Sequence, residues 1–303
     1  MEQPKLFLKN CPLCGDDDFN GFYKHRHVID IFYSYCNSCG LVFQNPTYSK
    51  EEWENFYKYN YRKIYDNSAN PTEGSLLLQK NRADFYHNII KSKKINFKSH
   101  LDIGSSAGEL LVKIKEEYKI EIQAGVELDA QYRKFSINRG IKVFESLEEA
   151  IKDGTKYDLV TMNHVLEHIP QPRPFLETLS KLINPGGYLF LEVPNIEGGI
   201  GAMELAHPLA FSPATITEAL RTAGLKITFM KLHGEPKYSS PLCKKYILLI
   251  AKSSSNRSTI PKLKINSLHK TRILMQRNLN WRESSSIYWL KFPYRVLKYG
   301  YQL

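Results

Sequence analysis

Short apolar runs alternate with amphipathic segments through the central half of the chain. Apolar runs of about four to eight residues between turn residues predict strands, and the longer segments between them have the spacing of helices. Such runs occur in order at residues 100–103, 120–127, 141–144, 157–162 and 188–193. Because these strands alternate with helices, they predict a doubly wound α/β sheet.

Residues 46–99 precede this region and form a predicted helical bridge. Ser49 and Glu52 have the spacing of a capping box, which marks a helix start, and residues 76–94 have helical periodicity after a loop at 67–74. A dense set of aromatic residues lies between them: Trp53, Phe56, Tyr57, Tyr59, Tyr61 and Tyr65. Either this aromatic face packs on the core, or the bridge is a lid over a ligand cleft with tyrosine hydroxyls facing the substrate.

Two C-x-x-C pairs, separated by twenty-one residues, lie near the N-terminus. They contain four of the five cysteines: Cys11, Cys14, Cys36 and Cys39. Matched pairs at this spacing predict a zinc ribbon over residues 1–45, and four thiolates leave no open coordination position, so the zinc ion would be structural. Two disulfides or a redox pair are the alternatives. His25 and His27 are in excess of a tetrahedral site.

Residues 101–111 join an apolar strand to an apolar helix through small residues, among them Gly104 and Gly108. Such a turn lets backbone N–H groups at a helix start approach a ligand closely, although it also serves plain packing. Glu127 ends the next predicted strand, nineteen residues after Gly108. An acid at that place can accept hydrogen bonds from both ribose hydroxyls, so the pattern predicts a nucleotide-binding unit.

Four segments share the order and spacing of one family: LDIGSSAGELL, the acid in GVELD, YDLVTMNHVLEHIPQP and INPGGYLFLEVPN. Over residues 100–252 the chain resembles class I S-adenosylmethionine-dependent methyltransferases. With CPLCG…CNSCGLVFQNP, it looks like the subgroup with an N-terminal zinc ribbon, many of whose members modify sugars, nucleotide-sugars or other small metabolites in polysaccharide and natural-product pathways. The resemblance implies a seven-stranded Rossmann-like sheet that ends in an antiparallel pair, at residues 225–232 and 246–251. A dehydrogenase is disfavoured, because the Gly-x-Gly-x-x-Gly pattern is absent and Glu167-His168-Ile169-Pro170 is present.

The resemblance also assigns residues to S-adenosylmethionine: Asp102, Gly104, Ser106, Gly108, Glu127, Leu128, Asn163 and His164. It implies that Gly104 and Gly108 bring the backbone against the amino-acid part of the cofactor, and that Asp102 orients its ammonium group. Ser106 stands where the family usually has glycine. A serine is tolerable there if its φ stays negative.

The other implied cofactor contacts come from the second and fourth predicted strands. Glu127 would hold the ribose, and Leu128 would pack on the adenine side. Asn163 and His164 end the fourth strand and would lie beside the methionine moiety.

The implied reaction is an SN2-like methyl transfer in which the sulfonium charge is lost as the nucleophile attacks. Alignment can supply most of the rate, since holding two reactants in line is worth up to ~7–11 kcal/mol. A base is needed only for a hydroxyl or a carbon acid, and the candidates are His168, His164 and His207, whose type titrates near neutrality. His207 follows the fifth strand, where related enzymes place a wall or lid of the active site, whereas His168 is equally interpretable as structural.

The composition is ordinary for a soluble globular protein, with 42% hydrophobic and 24% charged residues. The sequence has no apolar run long enough to span a membrane and no apolar signal-peptide core, so we expect a cytoplasmic protein. The formal net charge is +11, and residues 251–303 contain eleven Lys or Arg and one acid, Glu283. The chain is therefore a nearly neutral body with a basic C-terminal extension.

This extension, residues 253–303, mixes basic with aromatic residues, which suits an anionic interface. Docking on the inner membrane surface or on a partner enzyme of a glycan pathway, RNA binding with aromatic stacking, and plain packing on the body are the three interpretations. The leading functional hypothesis is methyl transfer to a sugar, nucleotide-sugar or comparable small metabolite. The alternatives are an RNA methyltransferase that uses the ribbon and the extension, and a binding protein that keeps the fold without catalysis.

Overall fold

A seven-stranded mixed sheet forms the centre of the computed structural model, with the strand order β10-β11-β8-β7-β4-β5-β6. Its strands are β4 (Ser99–Ile103), β5 (Ile122–Val126), β6 (Val143–Phe144), β7 (Tyr157–Asn163), β8 (Ile183–Pro194), β10 (Leu225–His233) and β11 (Tyr246–Ser253). The sheet confirms the predicted Rossmann-like α/β fold. The structure describes residues 3–26, 29–198, 202–237, 240 and 242–253. Apart from Ser253, the basic extension lies outside these residues, so its interpretations stay predictions.

The strand order reverses between β4 and β7, which is the topological switch point of the sheet. β4 pairs in parallel with β5 on one side and with β7 on the other, and β7 pairs in parallel with β8. β11 is antiparallel to both β8 and β10, as predicted for the last two strands. A crevice is expected beyond the carboxyl ends of β4 and β7, because successive connections leave this point toward opposite edges of the sheet.

Helices cover both faces of the central sheet. They are α3 (Glu73–Ser92), α4 (Glu109–Glu117), α5 (Ala130–Asn138), α6 (Leu147–Asp153), α7 (Pro172–Leu179) and α8 (Pro213–Thr222). One core cluster joins α3 and α4 to Leu159, Phe190 and Leu248 of the sheet. Another joins α7 and α8, through Leu176 and Ile216, to the other face. None of the described helices has the length and apolar character needed to cross a membrane.

The predicted bridge contains two further helices, α1 (Lys50–Tyr59) and α2 (Tyr61–Tyr65), ahead of α3. The predicted capping box is present: the Ser49 N–H donates to Glu52 at 2.7 Å, and the Glu52 N–H donates to Ser49 Oγ at 3.2 Å. Trp53 and Phe56 are buried in a cluster shared with the N-terminal segment. These two aromatic residues therefore pack on the core, as the first interpretation of the bridge predicts.

The N-terminal segment forms a second sheet, with the order β1-β2-β3-β9. Three strands come from the predicted ribbon: β1 (Phe19–Arg26), β2 (Asp30–Cys36) and β3 (Val42–Gln44). The fourth, β9 (Leu209–Ala210), comes from the body of the chain and pairs antiparallel with β3. The cysteine-containing segment and the body are thus joined through one sheet, which no local sequence pattern indicated.

One segment with the composition of a turn lies inside a strand. Residues 184–187 have turn composition, yet β8 begins at Ile183, and the register with β7 shifts between Tyr157 and Leu159. The extra residues lie opposite Asp158, whose carboxylate accepts a hydrogen bond from Asn184 Nδ2 at 2.8 Å. The turn residues therefore form an irregular segment within the strand rather than its boundary.

Candidate active site

A cavity of about 820 Å³ opens at the carboxyl ends of β4, β5 and β7. Its volume lies within the range of ~300–1,000 Å³ that is common for small-molecule sites. Residues that follow the three strands line it together with side chains of α1, α2 and α3. Seven of the predicted cofactor residues line the cavity. At the ends of β4 and β5 these are Asp102, Gly104, Ser106, Glu127 and Leu128. At the end of β7 they are Asn163 and His164.

Positive φ angles shape the turn between β4 and α4. Gly104 has a φ of 71°, and a β-carbon at this position would collide with the Val165 side chain. Gly108 has a φ of 83° at the N-cap of α4, where a β-carbon would meet Ile141 and Ser136. Gly108 is not among the residues that line the cavity. Its predicted contact with the cofactor therefore stays a prediction, and its observed role is close packing.

Ser106 adopts a φ of 50°. We expected a serine to be tolerated here only with a negative φ, and this expectation was wrong. Left-handed backbone costs a residue other than glycine roughly 1–2 kcal/mol. Two hydrogen bonds offset this cost: the Ser106 N–H donates to Glu127 Oε2 at 2.7 Å, and Ser106 Oγ accepts from Arg62 Nη2 at 2.9 Å. The serine thus connects the turn to the helical bridge, which a glycine could do only through its backbone.

Glu127 is buried where β5 ends, and both of its carboxylate oxygens are held by backbone. Oε1 accepts from the Asp129 N–H at 2.9 Å, and Oε2 accepts from the Ser106 N–H at 2.7 Å. The Arg62 guanidinium stacks on Tyr132 and lies 4.0 Å from Oε2. A carboxylate has about four acceptor sites, so two remain for hydroxyl donors of a ligand.

A chain of hydrogen bonds orients Asp102 on β4. The Thr161 hydroxyl donates to Asp102 at 2.6 Å, and His100 Nε2 lies 2.9 Å from the same hydroxyl oxygen. Gln123 Nε2 lies 3.3 Å from His100 Nδ1, which completes the chain. Burial raises the pKa of Asp102 to about 7, although the Thr161 hydrogen bond opposes this effect. A cationic ligand would restore the ionised form of such a carboxyl group.

His164 lies between two buried carboxylates. Its Nε2 is 2.9 Å from Glu192 Oε1, to which the Tyr86 hydroxyl also donates, and its Nδ1 is 3.4 Å from Glu167 Oε1. Burial and the nearby Arg82 lower the pKa of His164, but the Glu167 and Glu192 carboxylates on either side of the ring outweigh them and raise it. Because both ring nitrogens contact carboxylates, His164 has no free nitrogen that could take a proton from a methyl acceptor.

Glu167, His168 and His207 form a second cluster next to His164. One nitrogen or oxygen atom from each of the three lies within 4.8 Å of the others. Glu167 is 1% exposed, and neither carboxylate oxygen has a hydrogen bond of good geometry within the described part of the chain. His168 Nδ1 lies 2.7 Å from the Ala206 carbonyl oxygen, and His207 Nδ1 lies 3.3 Å from that of Ala202. These carbonyls require Nδ1–H, so Nε2 is the basic nitrogen of each neutral ring.

Both histidines of this cluster favour the neutral form. Burial lowers the pKa of His207 to about 3. Burial also lowers the pKa of His168, against the opposing effect of Glu167. His168 lines the cavity. His207 does not line the cavity but packs behind His168, with the two ring centroids 5.0 Å apart. Of the three predicted base candidates, His168 combines a neutral Nε2 with a place on the cavity wall.

The bridge contributes residues to the cavity wall, which agrees in part with its second interpretation as a lid over a ligand cleft. Arg82 of α3 lines the cavity, and it has no hydrogen bond or ion pair with any residue that the structure describes. The rings of Tyr57 and Tyr61 also line it and contact His168, with centroid distances of 5.0 and 5.4 Å. The Tyr57 hydroxyl donates to the Ala206 carbonyl at 2.5 Å, so the ring and not the hydroxyl faces the cavity. The only sequence signal for the two tyrosines was the aromatic spacing of the bridge, and no local pattern indicated Arg82.

The four N-terminal cysteine sulfurs converge on one point. Cys11 and Cys39 have their Sγ atoms 3.5 Å apart, and Cys14 and Cys36 have theirs 3.6 Å apart. A disulfide bond is ~2.05 Å long, so these pairs are not bonded, which disfavours the disulfide alternative. Tetrahedral zinc with bonds of ~2.3 Å places its sulfurs about 3.8 Å apart. The cluster therefore has the size and donor set of a zinc site.

Comparison with known proteins shows the class to which the chain belongs. The family model described as "Methyltransferase domain" matches residues 76–228, which is half of the chain. The chain belongs to this methyltransferase-domain family, as its sequence resemblance implied.

Individual relatives agree with this class. A ubiquinone biosynthesis O-methyltransferase of Klebsiella pneumoniae is 32% identical over 107 residues, which are 33% of this chain and 44% of that protein. The enzyme of the same name from Xanthomonas axonopodis is 28% identical over 149 residues, 42% of this chain and 62% of that protein. The chain thus spans less than two thirds of the length of these relatives. A solved structure also resembles the chain: the 1,6-didemethyltoxoflavin-N1-methyltransferase of Burkholderia thailandensis, which contains bound S-adenosylhomocysteine. The match covers 71% of this chain and 96% of that protein, at 16% identity and a TM-score of 0.52, and it supports the fold.

Proposed function

We propose that the chain transfers a methyl group from S-adenosylmethionine to a hydroxyl group of a small molecule. The observation that carries the proposal is the composition of one cavity. Asp102 and Glu127, which suit the charged and ribose parts of the cofactor, line the same cavity as His168, which suits removal of a proton from an acceptor. Membership of the methyltransferase-domain family supports the same activity.

The cofactor would bind along the ends of β4, β5 and β7. S-adenosylmethionine supplies a methyl group on a positively charged sulfur, and the chain has to hold this group in line with the acceptor. Asp102 would accept from the ammonium group. Arg82, a cavity guanidinium without a hydrogen bond or ion pair among the described residues, would pair with the carboxylate. Glu127 would accept from the ribose hydroxyls and Leu128 would pack against adenine. Gly104 would let the backbone approach the amino-acid part.

His168 would accept the proton of the acceptor at Nε2. Its Nδ1–H is fixed by the Ala206 carbonyl, and burial lowers the pKa of His168, so the neutral ring is available to accept a proton. The adjacent Glu167 carboxylate would stabilise the imidazolium that forms, because it already raises the pKa of His168. A positioned base contributes ~10²–10⁴-fold to a rate. His207 would shield this pair from water.

We propose a sugar, a nucleotide-sugar or a comparable small metabolite of a glycan or natural-product pathway as the acceptor. The resemblance to ribbon-containing methyltransferases supports this class. The cavity volume of about 820 Å³ and the aromatic wall of Tyr57 and Tyr61 also suit a ring-shaped acceptor next to the cofactor. The O-methyltransferase names of the relatives support oxygen as the methylated atom.

We also propose that the four clustered cysteines bind a structural zinc ion. Their sulfurs are within the spacing of a tetrahedral site, and four thiolates leave no position for a substrate. The ion would hold the two turns of the N-terminal sheet together. Metal analysis of freshly reduced protein should find about one zinc per chain, and its absence would contradict the ribbon.

Calorimetric titration with S-adenosylmethionine tests the proposed function. The wild-type chain should bind one cofactor, and Glu127→Ala should weaken binding at least ~10-fold, because it removes a charged acceptor of ribose and frees two backbone N–H groups. Glu121→Ala is the matched control, since Glu121 is exposed and pairs with Lys98. Absence of binding by the wild-type chain, or equal binding by the Glu127 variant, would refute the proposal.

A further inference from the structure

The loop that carries His207 is held by carbonyl contacts with other parts of the chain. We define residues 202–208 as the His207 loop. The five consecutive carbonyl groups from Glu204 to Pro208 each accept a hydrogen bond from outside the loop. A buried loop has to satisfy its backbone groups in some way, and here the partners come from the N-terminal sheet, α1 and His168.

Two buried side chains of the N-terminal sheet provide most of these bonds. Gln44, which is 1% exposed on β3, has its Nε2 3.1 Å from the carbonyl oxygens of Glu204, Leu205 and His207. Tyr33 on β2 has its hydroxyl 2.8 Å from the Glu204 carbonyl and 3.0 Å from the His207 carbonyl. The Tyr33 hydroxyl oxygen also lies 3.2 Å from Gln44 Nε2. An amide has only two N–H hydrogens, so Gln44 shares them among the three carbonyls and this hydroxyl.

The same contact continues as backbone pairing and as an apolar core. The Gln44 N–H donates to the Pro208 carbonyl at 2.8 Å, and β3 then pairs with β9. Met203 and Leu205 of the loop are buried in one cluster with Ile31 and Trp53. The His207 loop is therefore packed as part of the N-terminal sheet, although it belongs to the methyltransferase body by sequence.

We propose that Tyr33 and Gln44 are positioning residues for the acceptor side of the active site. Through the His207 loop they fix Ala206, whose carbonyl accepts from His168 Nδ1–H at 2.7 Å. A displaced loop would move this carbonyl and release the tautomer and orientation of His168. The inference rests on the proposed role of His168, and it gives the N-terminal sheet a function in acceptor chemistry that is separate from cofactor binding.

Two variants of the full chain test this inference. Tyr33→Phe removes one hydroxyl and keeps the ring, and Gln44→Met removes both donors at nearly constant volume. Tyr118→Phe is the matched control, because the Tyr118 hydroxyl is buried with no hydrogen bond to any residue in the described ranges and lies away from the loop. The measurements are backbone hydrogen exchange in residues 202–208, histidine titration by NMR, and S-adenosylhomocysteine affinity by calorimetry.

Both positioning variants should exchange the loop amides at least ~10-fold faster than the wild type, which corresponds to ~1.4 kcal/mol. The pKa of His207, which burial lowers to about 3, should rise as water reaches the ring and its neighbours Glu167, His168 and His164. A loss of overall stability alone would leave this native-state pKa unchanged. S-adenosylhomocysteine affinity should stay within about twofold of wild type, as in Tyr118→Phe.

The inference would be overturned if Tyr33→Phe exchanged its loop amides at the wild-type rate and kept the wild-type pKa of His207. This test holds even if Gln44→Met fails to fold. A loss of S-adenosylhomocysteine affinity that matched the gain in loop exchange would also overturn it, because the sheet would then act on the cofactor. Absence of S-adenosylhomocysteine binding by the wild-type chain would contradict the proposed function instead, and the exchange and titration results would still decide whether the sheet holds the loop.

Discussion

Replacing Asp102 with asparagine should make the chain more stable and its cofactor binding weaker. Burial raises the pKa of Asp102 to about 7 from an ordinary value of 3.8, so the folded chain holds this proton more tightly than the unfolded chain. Wild-type stability should therefore fall as pH rises from about 4 to about 7, as the unfolded chain ionises first. Each pKa unit is worth ~1.36 kcal/mol, so the loss is up to about 4 kcal/mol. The asparagine variant, which still accepts from Thr161, avoids this loss.

Binding should change in the opposite direction. In the proposed site the ammonium group of S-adenosylhomocysteine would pair with the ionised Asp102 carboxylate, and removing one partner of a buried charge pair costs ~2–5 kcal/mol. That energy corresponds to a loss of at least ~30-fold in affinity. Because the wild-type carboxyl group titrates at about pH 7, wild-type affinity should rise as pH increases to this value and then level off. Asp102→Asn should show no such rise.

Urea unfolding and calorimetric titration at several pH values on both sides of pH 7 measure the two effects. Equal stability of wild type and variant above pH 7 would show that Asp102 is not held protonated by burial. A pH dependence of affinity that persists in the asparagine variant would assign it to another group. Either result would refute the reasoning about this carboxyl group.

Three further predictions concern other parts of the site. His168→Ala should lower turnover by ~10²–10⁴-fold and His207→Ala by less, with S-adenosylhomocysteine affinity nearly unchanged in both; a matching loss of affinity would contradict their place on the acceptor side. Arg82→Met should weaken S-adenosylhomocysteine binding at least ~10-fold but leave 5′-methylthioadenosine, which has no carboxylate, unaffected; equal losses for both ligands in calorimetry would disprove the pairing. Cys36→Ser should lose the bound zinc by elemental analysis and lower the melting temperature, and retention of a full zinc equivalent would exclude the four-cysteine site.

Local patterns predicted the parts of the fold whose causes are local. The spacing of Cys11 to Cys39 predicted a site that the converging sulfurs support, and Ser49 with Glu52 predicted the start of α1 correctly. The turn after β4 lines the same cavity as Glu127, which follows β5. The two were predicted to lie together because the carboxyl ends of neighbouring parallel strands meet at one edge of a sheet.

Contacts between distant segments could not be predicted in this way. Arg82 is one of 42 Lys and Arg residues, and only the docking of α3 on the sheet places it on the cavity wall. The pairing of β3 with β9 depends on folding the body against the N-terminal segment. The positive φ of Ser106 depends on Glu127 and Arg62, which bind its N–H and Oγ from other elements.

Mass spectrometry of a methylated acceptor is the most direct test of the proposed methyl transfer. Candidate sugars and nucleotide-sugars are incubated with the full chain and S-adenosylmethionine that carries an isotopically labelled methyl group. One acceptor should gain a single labelled methyl group. His168→Ala should still bind S-adenosylhomocysteine but form far less of this product. A wild-type chain that binds the cofactor but methylates no sugar, nucleotide-sugar or related metabolite, or a His168 variant with full turnover, would contradict the account.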